Sequence, residues 1–310
     1  MASNVQPKPV PKHIRFILGG LAGIGAVTVC HPLDFLKTRM QLRTEGTVAT
    51  EHTTFIHMAK TVILTEGPLH LFDGLSAAVM RQIFYTSART GIFTSLNDIY
   101  SKDGQPPTII QRLGIGVVTG VVGTFFGVPF DVALIRMSAD GRLPPEERRN
   151  YHHVGDAFYR IITEEGILTL WRGIIPTMCR AVVVSTSAFV TYLQTKEFFI
   201  RRGYMQDNFS NHFVSSMISG LVTTITSLPF DAIKTRLQNM KIKDGKAEYA
   251  GMLDATTKII TKEGVSSLFR GFTPYYLRQG PFTILYFVML EFITKEYRRF
   301  VLGDMSGAGL

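Results

Sequence analysis

The sequence predicts an all-α membrane protein, a threefold pseudosymmetric bundle of six transmembrane helices with three short helices on one side. The first observation is a pattern of proline, aspartate and a closing arginine that occurs three times, at intervals of roughly a hundred residues. So long a period indicates a duplicated helical module. The second is composition, because 45% hydrophobic and 18% charged residues, with a mean hydropathy of +0.16, suit helices that have one lipid-facing and one wet side. The copies are Pro32–Arg39, Pro129–Arg136 and Pro229–Arg236.

The modules share further positions. We predict a single transmembrane domain over residues 1–310, built from repeats at 10–104, 105–206 and 207–303. Thirteen and nine residues before each proline stand small residues, which allow two helices to approach closely. We therefore interpret them as helix-packing positions. They are Gly19 and Gly23, Gly116 and Gly120, and Ser216 and Gly220.

The first helix of each module is predicted by a stretch without acidic or basic side chains that is about long enough to cross a membrane. These stretches are Phe16–Leu33, which His31 interrupts, Leu113–Phe130 and Phe213–Phe230. The second helix of each module rests on a shorter apolar run. These runs are Ile92–Leu96, Ala181–Leu193 and Pro281–Leu290.

The prolines and the charges beyond them predict a point of closure. Proline inside an apolar helix removes a backbone hydrogen bond and kinks the helix, so three kinks at one level bring the odd-numbered helices together. An aspartate follows each proline, and in two modules a lysine stands three positions later. These charges could pair within one helix, or across helices in a ring that acts as a breakable gate. The ring residues are Asp34, Lys37, Asp131, Asp231 and Lys234.

An acid-Gly pair and an aromatic-x-Gly pair bracket a short polar helix downstream of each proline, at Glu66–Gly74, Glu165–Gly173 and Glu263–Gly271. The second pair opens the next membrane helix, whose free backbone N–H groups could hold a lipid phosphate. A plain helix start with an interfacial aromatic anchor is an equal alternative. The candidate lipid-binding residues are Gly74, Trp171, Arg172, Gly173, Phe269, Arg270 and Gly271.

Three arginines carry most of the functional information. Arg81, Arg180 and Arg278 each stand seven residues after a closing glycine, which is roughly 10 Å into a helix. Arginine near the bilayer centre costs about 2.5–3.5 kcal/mol, so we expect all three to face a common aqueous cavity. Snorkelling to the lipid headgroups is the alternative. A guanidinium group offers bidentate hydrogen bonds to a carboxylate or phosphate.

Tyr85 and Arg89 extend the cationic face of the second helix, four and eight residues beyond Arg81. The corresponding positions are Val184 and Ala188 in the second module, and Phe282 and Tyr286 in the third. The predicted lining is therefore cationic, polar on one side and apolar opposite. It fits a small dianion with a short carbon chain better than a nucleotide, because no repeat gives up its arginine to form an apolar slot for a base.

Other functional classes fit the sequence less well. The net charge of +9 and pI of about 9.6 do not indicate nucleic-acid binding, because the basic residues do not form a stripe with interleaved aromatics. No cofactor or metal site is expected, and His152 and His153 have no partner at a useful spacing, so an enzyme is not predicted. A structural scaffold would not explain three costly arginines at one depth. The first dozen residues resemble neither a signal peptide nor a transit peptide, so targeting is expected in the mature chain.

These motifs closely resemble those of the mitochondrial carrier family over essentially the whole chain. The resemblance implies a bundle in the mitochondrial inner membrane with both termini toward the intermembrane space, with the short helices and the charged ring on the matrix side. It also implies alternating access and substrate contact at Arg81, Arg180 and Arg278. We further expect a protein that functions as a monomer and binds membrane lipid such as cardiolipin.

Within the family, three segments resemble members that exchange 2-oxoglutarate for malate or other dicarboxylates. They are Ile135–Pro144, Trp171–Met178 and Gly271–Tyr276. The resemblance implies an antiporter of the malate–aspartate shuttle type. A dicarboxylate/phosphate carrier or an uncoupling-type proton leak is the alternative, because both share the arginine trio.

The chain departs from the family pattern at three places. Leu134 replaces the signature base of the second module, so we predict two ring pairs, Lys37 with Asp131 and Lys234 with Asp34, and no signature partner for Asp231. Asp73 stands where the family prefers a base, which weakens the first lipid site. The cytoplasmic gate is predicted to be weak. The second membrane helix of the second module has no acid at the matching position, and in the other two modules the acid and the base stand four residues apart rather than three. Its candidate residues are Asp98, Lys102, Lys196, Glu291 and Lys295.

Overall fold

The computed structural model describes residues 12–42, 55–101, 107–142, 146, 148–206, 208–240, 242–243 and 246–301. Within these residues lie six long α-helices of 26 to 31 residues and three short α-helices. Between the acid-Gly and aromatic-x-Gly pairs, where the sequence predicts short helices, the chain forms 3-10 helices, at Pro68–Phe72, Ile167–Trp171 and Val265–Phe269. The long helices are α1 (Lys12–Gln41), α3 (Leu75–Tyr100), α4 (Ile109–Ala139), α6 (Ile174–Arg201), α7 (Phe209–Asn239) and α9 (Phe272–Val301). The short helices are α2 (Phe55–Thr65), α5 (Val154–Glu165) and α8 (Met252–Glu263). The predicted all-helical class is confirmed, apart from the antiparallel strands β1 (Ile242–Lys243) and β2 (Lys246–Ala247).

Four stretches of the described chain are long and apolar enough to cross a membrane. They are Ile17–Gln41, Ile109–Ala139, Ile167–Arg201 and Ser210–Asn239. The helices α3 and α9 have sufficient length but a more polar composition. In α9, for example, Arg278, Glu291 and Lys295 lower the apolarity. The prediction of six spans is therefore matched by composition in four helices.

The repeated prolines lie inside continuous helices, at Pro32 in α1, Pro129 in α4 and Pro229 in α7. The part of each helix around and beyond its proline is the most buried. In α4 the residues at 127–129 and most of those from Asp131 to Ala139 are buried. Before its proline the same helix exposes large apolar side chains such as Val118 and Phe125. The closed, well-packed end of the bundle is therefore the end that carries the proline motif, which we call the signature end.

Each short helix packs on the post-proline part of the long helix before it. Val62 of α2 packs with Phe35 and Leu36 of α1, and Ile259 of α8 packs with Ile233 and Leu237 of α7. Ile161 of α5 packs with Val132 of α4 in the same manner. Burying an aliphatic side chain of this size contributes about 1.5–3 kcal/mol. These contacts fix the three connections between successive long helices at the signature end.

Three buried arginines connect the acid-Gly turns to α1, α4 and α7. The closing arginine of each motif forms a bidentate ion pair with the glutamate of its own module, and Arg136 Nη1 lies 2.5 Å from Glu165 Oε1. Arg39 is only 1% exposed and Arg136 is fully buried. Burial acts to raise the pKa of the Glu165 carboxyl, but the hydrogen bonds and charge of Arg136 outweigh burial and hold this pKa below its ordinary value. The other pairs are Arg39 with Glu66 and Arg236 with Glu263.

The small residues before the prolines serve two purposes rather than one. A Cβ atom at Gly120 would lie 3.4 Å from Ala181 Cβ, so α4 and α6 are in close contact there, and a Cβ at Gly23 would collide with Gln82 of α3. At Gly116 and Gly220, however, a Cβ would meet nothing within 4 Å. The helix-packing prediction is therefore wrong at these two positions. Both glycines line a cavity instead.

Candidate functional site

The three repeated arginines each form an ion pair with an aspartate of the next repeat. Arg81 Nε on α3 lies 2.5 Å from Asp131 Oδ1, and Arg278 Nε on α9 lies 3.0 Å from Asp34 Oδ1. Arg180 on α6 pairs in the same way with Asp231. The candidate substrate arginines and the candidate gate aspartates therefore belong to one network that runs around the bundle. An anion that binds to these arginines has to compete with the aspartates.

The charged ring closes between helices, and its pairs differ from those predicted. Lys37 Nζ lies 2.7 Å from Asp231 Oδ2, and Lys234 Nζ lies 2.7 Å from Asp131 Oδ2. The predicted pairs of Lys37 with Asp131 and Lys234 with Asp34 are wrong, as is the alternative of local pairs within one helix. Each lysine instead pairs with the aspartate of the preceding repeat, the third repeat preceding the first around the bundle. Asp231 therefore has a ring partner.

Asp34 is the aspartate that lacks a lysine. The same order of pairing puts Leu134 where a base would face Asp34, and Leu134 instead packs beside Ala77 and Met137. The side chain of Asp34 is 24% exposed, whereas those of Asp131 and Asp231 are 7% and 6% exposed. Asp34 thus depends on Arg278, whereas the other two aspartates have an arginine and a lysine each.

An inner cavity lies directly above the ring and contains most of the predicted substrate residues. Arg180 Nη2 donates a hydrogen bond of 3.1 Å to the hydroxyl of Tyr275. Arg278 is not among the residues that line this cavity, and its guanidinium lies over the ring of Phe282 at 5.0 Å. The lining includes Arg81, Tyr85, Arg89, Asp131, Arg180 and Val184.

A larger cavity of about 580 Å³ continues from the inner one toward the other end of the bundle. The two share Arg89, Val184 and Ser185. The outer cavity lies between α4, α6 and α7, and it also contains the glycines at which helix packing was wrongly predicted. Its remaining lining is polar or small in large part, with Arg112, Gly116, Ala188, Tyr192, Ser216, Ser219, Gly220 and Thr223.

The candidate residues of the far-end gate lie on the long helices α3, α6 and α9. Asp98 lies near the end of α3, Lys196 near the end of α6, and Glu291 and Lys295 on the second half of α9. No ion pair joins Asp98, Glu291 or Lys295 to another residue in the described part of the chain. Lys102 lies outside the described residues.

The candidate lipid residues surround the starts of α3, α6 and α9. Gly74 and Gly173 precede their helices with positive φ, a conformation that favours glycine. Trp171 Nε1 donates to the carbonyl of Phe125 at 3.1 Å. Asp73, which replaces a base, pairs with His70 at 2.9 Å. The two arginines turn toward the acid-Gly glutamates, Arg172 to Glu165 and Arg270 to Glu263, each at 3.4 Å.

Sequence reasoning missed a group of arginines at the end of α7. Arg136 Nε, Arg149 Nη2 and Arg172 Nη1 donate to the carbonyls of Gln238, Asn239 and Met240 at 3.1, 3.0 and 3.5 Å. Cations at a helix C-terminus neutralise its partial negative charge. They join the second and third repeats at the signature end. Arg149 lies in a loop without a repeated counterpart, so the sequence held no signal for it. In the described chain, no group of three His, Cys, Asp or Glu residues could hold a metal ion.

A family model for mitochondrial carrier proteins matches this chain three times, at residues 8–104, 105–203 and 205–300. The chain belongs to the mitochondrial carrier family. Over 298 residues, which are 96% of its length, this carrier is 48% identical to the mitochondrial 2-oxoglutarate/malate carrier protein of Bos taurus and 49% identical to that of Homo sapiens. It covers 95% of each of those proteins. The protein of the same name in Caenorhabditis elegans is 45% identical over 94% of this carrier and 95% of the relative.

Proposed function

We propose that this carrier exchanges 2-oxoglutarate for malate or another dicarboxylate across the mitochondrial inner membrane by alternating access. It acts as a transporter rather than an enzyme, with six transmembrane helices and both termini toward the intermembrane space. The observation that carries this proposal is the inner cavity, in which Arg81 and Arg180 lie together above the charged ring. The names of the relatives, at 45–49% identity over nearly the whole chain, support the choice of substrate.

The pairing of the arginines suggests how substrate binding opens the ring. A dicarboxylate offers two carboxylates, which replace Asp131 on Arg81 and Asp231 on Arg180 without leaving either arginine unpaired. Removing one partner from a buried ion pair costs about 3–5 kcal/mol, so direct replacement avoids most of that penalty. The displaced Asp131 and Asp231 keep Lys234 and Lys37 as partners. Each remaining pair then lacks its arginine, which weakens the closed ring.

Arg278 has a different task in this mechanism. Asp34 has no lysine, so removing Arg278 from it would leave a partly buried carboxylate without a cation. A substrate with two carboxylates therefore engages Arg81 and Arg180 first, while Arg278 holds Asp34 until the ring opens. Tyr85 and Arg89 line the same cavity and orient the short carbon chain that links the carboxylates.

The experiment is exchange of labelled 2-oxoglutarate against internal malate in proteoliposomes. Alanine at Arg81, Arg180 or Arg278, one at a time, is expected to abolish exchange. Arg201→Ala is the matched control, because Arg201 is an exposed arginine that pairs with Glu197 on its own helix. Unchanged exchange after any one of the three substitutions would remove that arginine from the site. Inhibition of malate uptake by phosphate but not by 2-oxoglutarate would instead indicate a dicarboxylate/phosphate carrier.

The proposal also includes lipid sites, a second gate and a monomeric functional unit. We propose that lipid phosphate binds at the starts of α6 and α9, where Gly173 and Gly271 have positive φ and the first N–H groups of each helix have no intrahelical acceptor. The start of α3 is a poorer site because Asp73 brings a carboxylate there. The cytoplasmic gate is proposed at Asp98, Lys196, Glu291 and Lys295, and a monomer is the functional unit. Titration of the delipidated carrier with cardiolipin, monitored by thermal unfolding, tests the lipid sites.

A further inference from the structure

We propose that the outer cavity contains a second anion station, formed by Arg89 and Arg112, at which a dicarboxylate binds before it reaches Arg81 and Arg180. This inference rests on the proposed function and adds a site to it. Arg112 lies in the first turn of α4, where Thr108 and Gln111 form a capping box that fixes the helix start. Both arginines line the same cavity of about 580 Å³.

The pairing state of the arginines distinguishes the two cavities. In the inner cavity Arg81 and Arg180 already hold the carboxylates of Asp131 and Asp231. In the outer cavity neither Arg89 nor Arg112 forms an ion pair within the described residues. An incoming dianion therefore meets available guanidinium groups first and occupied ones second. Binding at the outer cavity needs no ion pair to break.

The chemistry of the outer lining also selects an anion. The residues that line it include two arginines and no acid, and several hydroxyl groups stand among them. A cleft lined by charges of one sign concentrates ions of the opposite sign. A hydroxyl group such as that of Ser216 can donate a hydrogen bond to a carboxylate oxygen. The ligand class that this lining fits is a small dicarboxylate, the same class as at the inner site.

Arg89 connects the two stations. It lines both cavities, together with Val184 and Ser185. A dianion held between Arg89 and Arg112 can keep one carboxylate on Arg89 while the other moves to Arg81. The dianion thus moves from Arg89 and Arg112 to Arg81 and Arg180, whose aspartates it has to displace. The outer station thereby raises the local concentration of substrate at the step that opens the ring.

The test compares initial uptake of labelled 2-oxoglutarate into malate-loaded proteoliposomes for the wild type, Arg112→Gln and Arg201→Gln. Arg201 is also an exposed arginine at this end of the bundle, so its loss changes the net charge equally without touching the cavity. We expect Arg112→Gln to raise KM about five-fold, the size expected for one exposed ion pair. Its uptake at low substrate should also depend less on ionic strength, because screening acts on that contact. The maximal rate should change far less than KM.

Two further variants separate charge from folding. Arg112→Lys keeps the charge, and its KM is expected to lie close to that of the wild type. Ser216→Asp introduces a carboxylate into the same cavity and is expected to raise KM as Arg112→Gln does. A KM and salt dependence for Arg112→Gln and Ser216→Asp that equal those of Arg201→Gln would overturn the outer station. Absence of exchange in the wild type would instead contradict the proposed function, so the two failures are distinguishable.

Discussion

Arg278 Nε lies 3.0 Å from Asp34 Oδ1, and this pair joins the start of α9 to the post-proline part of α1. In the other two repeats the aspartate at the same position also holds a lysine. Here Leu134 stands where that lysine would be, so one arginine carries both a proposed substrate contact and a third of the ring. The two tasks can be separated by substitution.

Leu134→Lys is expected to supply Asp34 with the missing cation. Its methylene stem can cover the apolar surface that Leu134 covers now, while the ammonium group reaches Asp34. In an Arg278→Ala background we therefore expect Leu134→Lys to recover about 1.5–3 kcal/mol of stability in thermal unfolding, the range for a hydrogen bond to a charged group, without recovering exchange. Leu134→Met in the same background is the control of similar size. Recovery of exchange by Leu134→Lys would mean that Arg278 acts only through Asp34.

The Lys37–Asp231 pair predicts the outcome of a double-mutant cycle. Lys37→Gln and Asp231→Asn each break an ion pair that lies 2.7 Å apart and is largely buried. Because they remove the same contact, their effects on unfolding free energy should be non-additive, with a coupling of about 1–3 kcal/mol. The cycle of Lys37→Gln with Asp131→Asn is the control, since Asp131 pairs with Lys234. A larger coupling in the control cycle would restore the pairing predicted from sequence.

Acid is expected to destabilise the signature end through Glu165. Its pKa in the folded protein lies below its ordinary value, because the hydrogen bonds and charge of Arg136 outweigh burial. A carboxyl group with a depressed folded-state pKa contributes stability above its unfolded pKa, and this contribution is lost as the pH falls through the folded pKa. We therefore expect the unfolding temperature of the detergent-solubilised carrier to decrease as the pH is lowered below about 4.3.

The substitution that checks this origin is Glu165→Gln. It leaves the buried guanidinium of Arg136 without a carboxylate and should cost about 3 kcal/mol near neutral pH. It should also make the unfolding temperature less dependent on pH in the acid range. Glu164→Gln is the adjacent control, because Glu164 is exposed and pairs with Arg160 on its own helix. Equal pH profiles for the two variants would locate the acid sensitivity elsewhere.

Repetition in the sequence was sufficient for some features of the site and insufficient for others. The arginine trio and the motif aspartates recur at fixed offsets, so their juxtaposition could be expected. The arginines and glutamates of the buried pairs, such as Arg39 and Glu66, also recur at fixed offsets, but the ion pair between them was not predicted. The aspartate with which each lysine pairs could not be predicted, because spacing along a chain does not determine which of two neighbouring helices a side chain faces.

The glycines near the outer cavity had a second meaning that the sequence could not separate from the first. A small residue can allow two helices to touch or can leave open space, and what faces the glycine in the folded bundle decides between the two. Gly120 has the first role, and Gly220 the second. Arg149 was beyond prediction for another reason, since its hydrogen bonds to Asn239 depend on the path of a loop that has no repeated pattern.

Gly220→Leu is expected to block the path between the mouth of the bundle and the inner cavity. A Cβ at Gly220 meets no atom within 4 Å, so the larger side chain fits without displacing a helix and extends into the outer cavity that Gly220 lines. Exchange should fall at least ten-fold while the unfolding temperature changes little, because no existing contact is lost. Gly114→Leu is the matched control, since Gly114 also has free space around it but does not line the cavity. Equal exchange in both variants would show that substrate reaches Arg81 by a route that avoids the outer cavity.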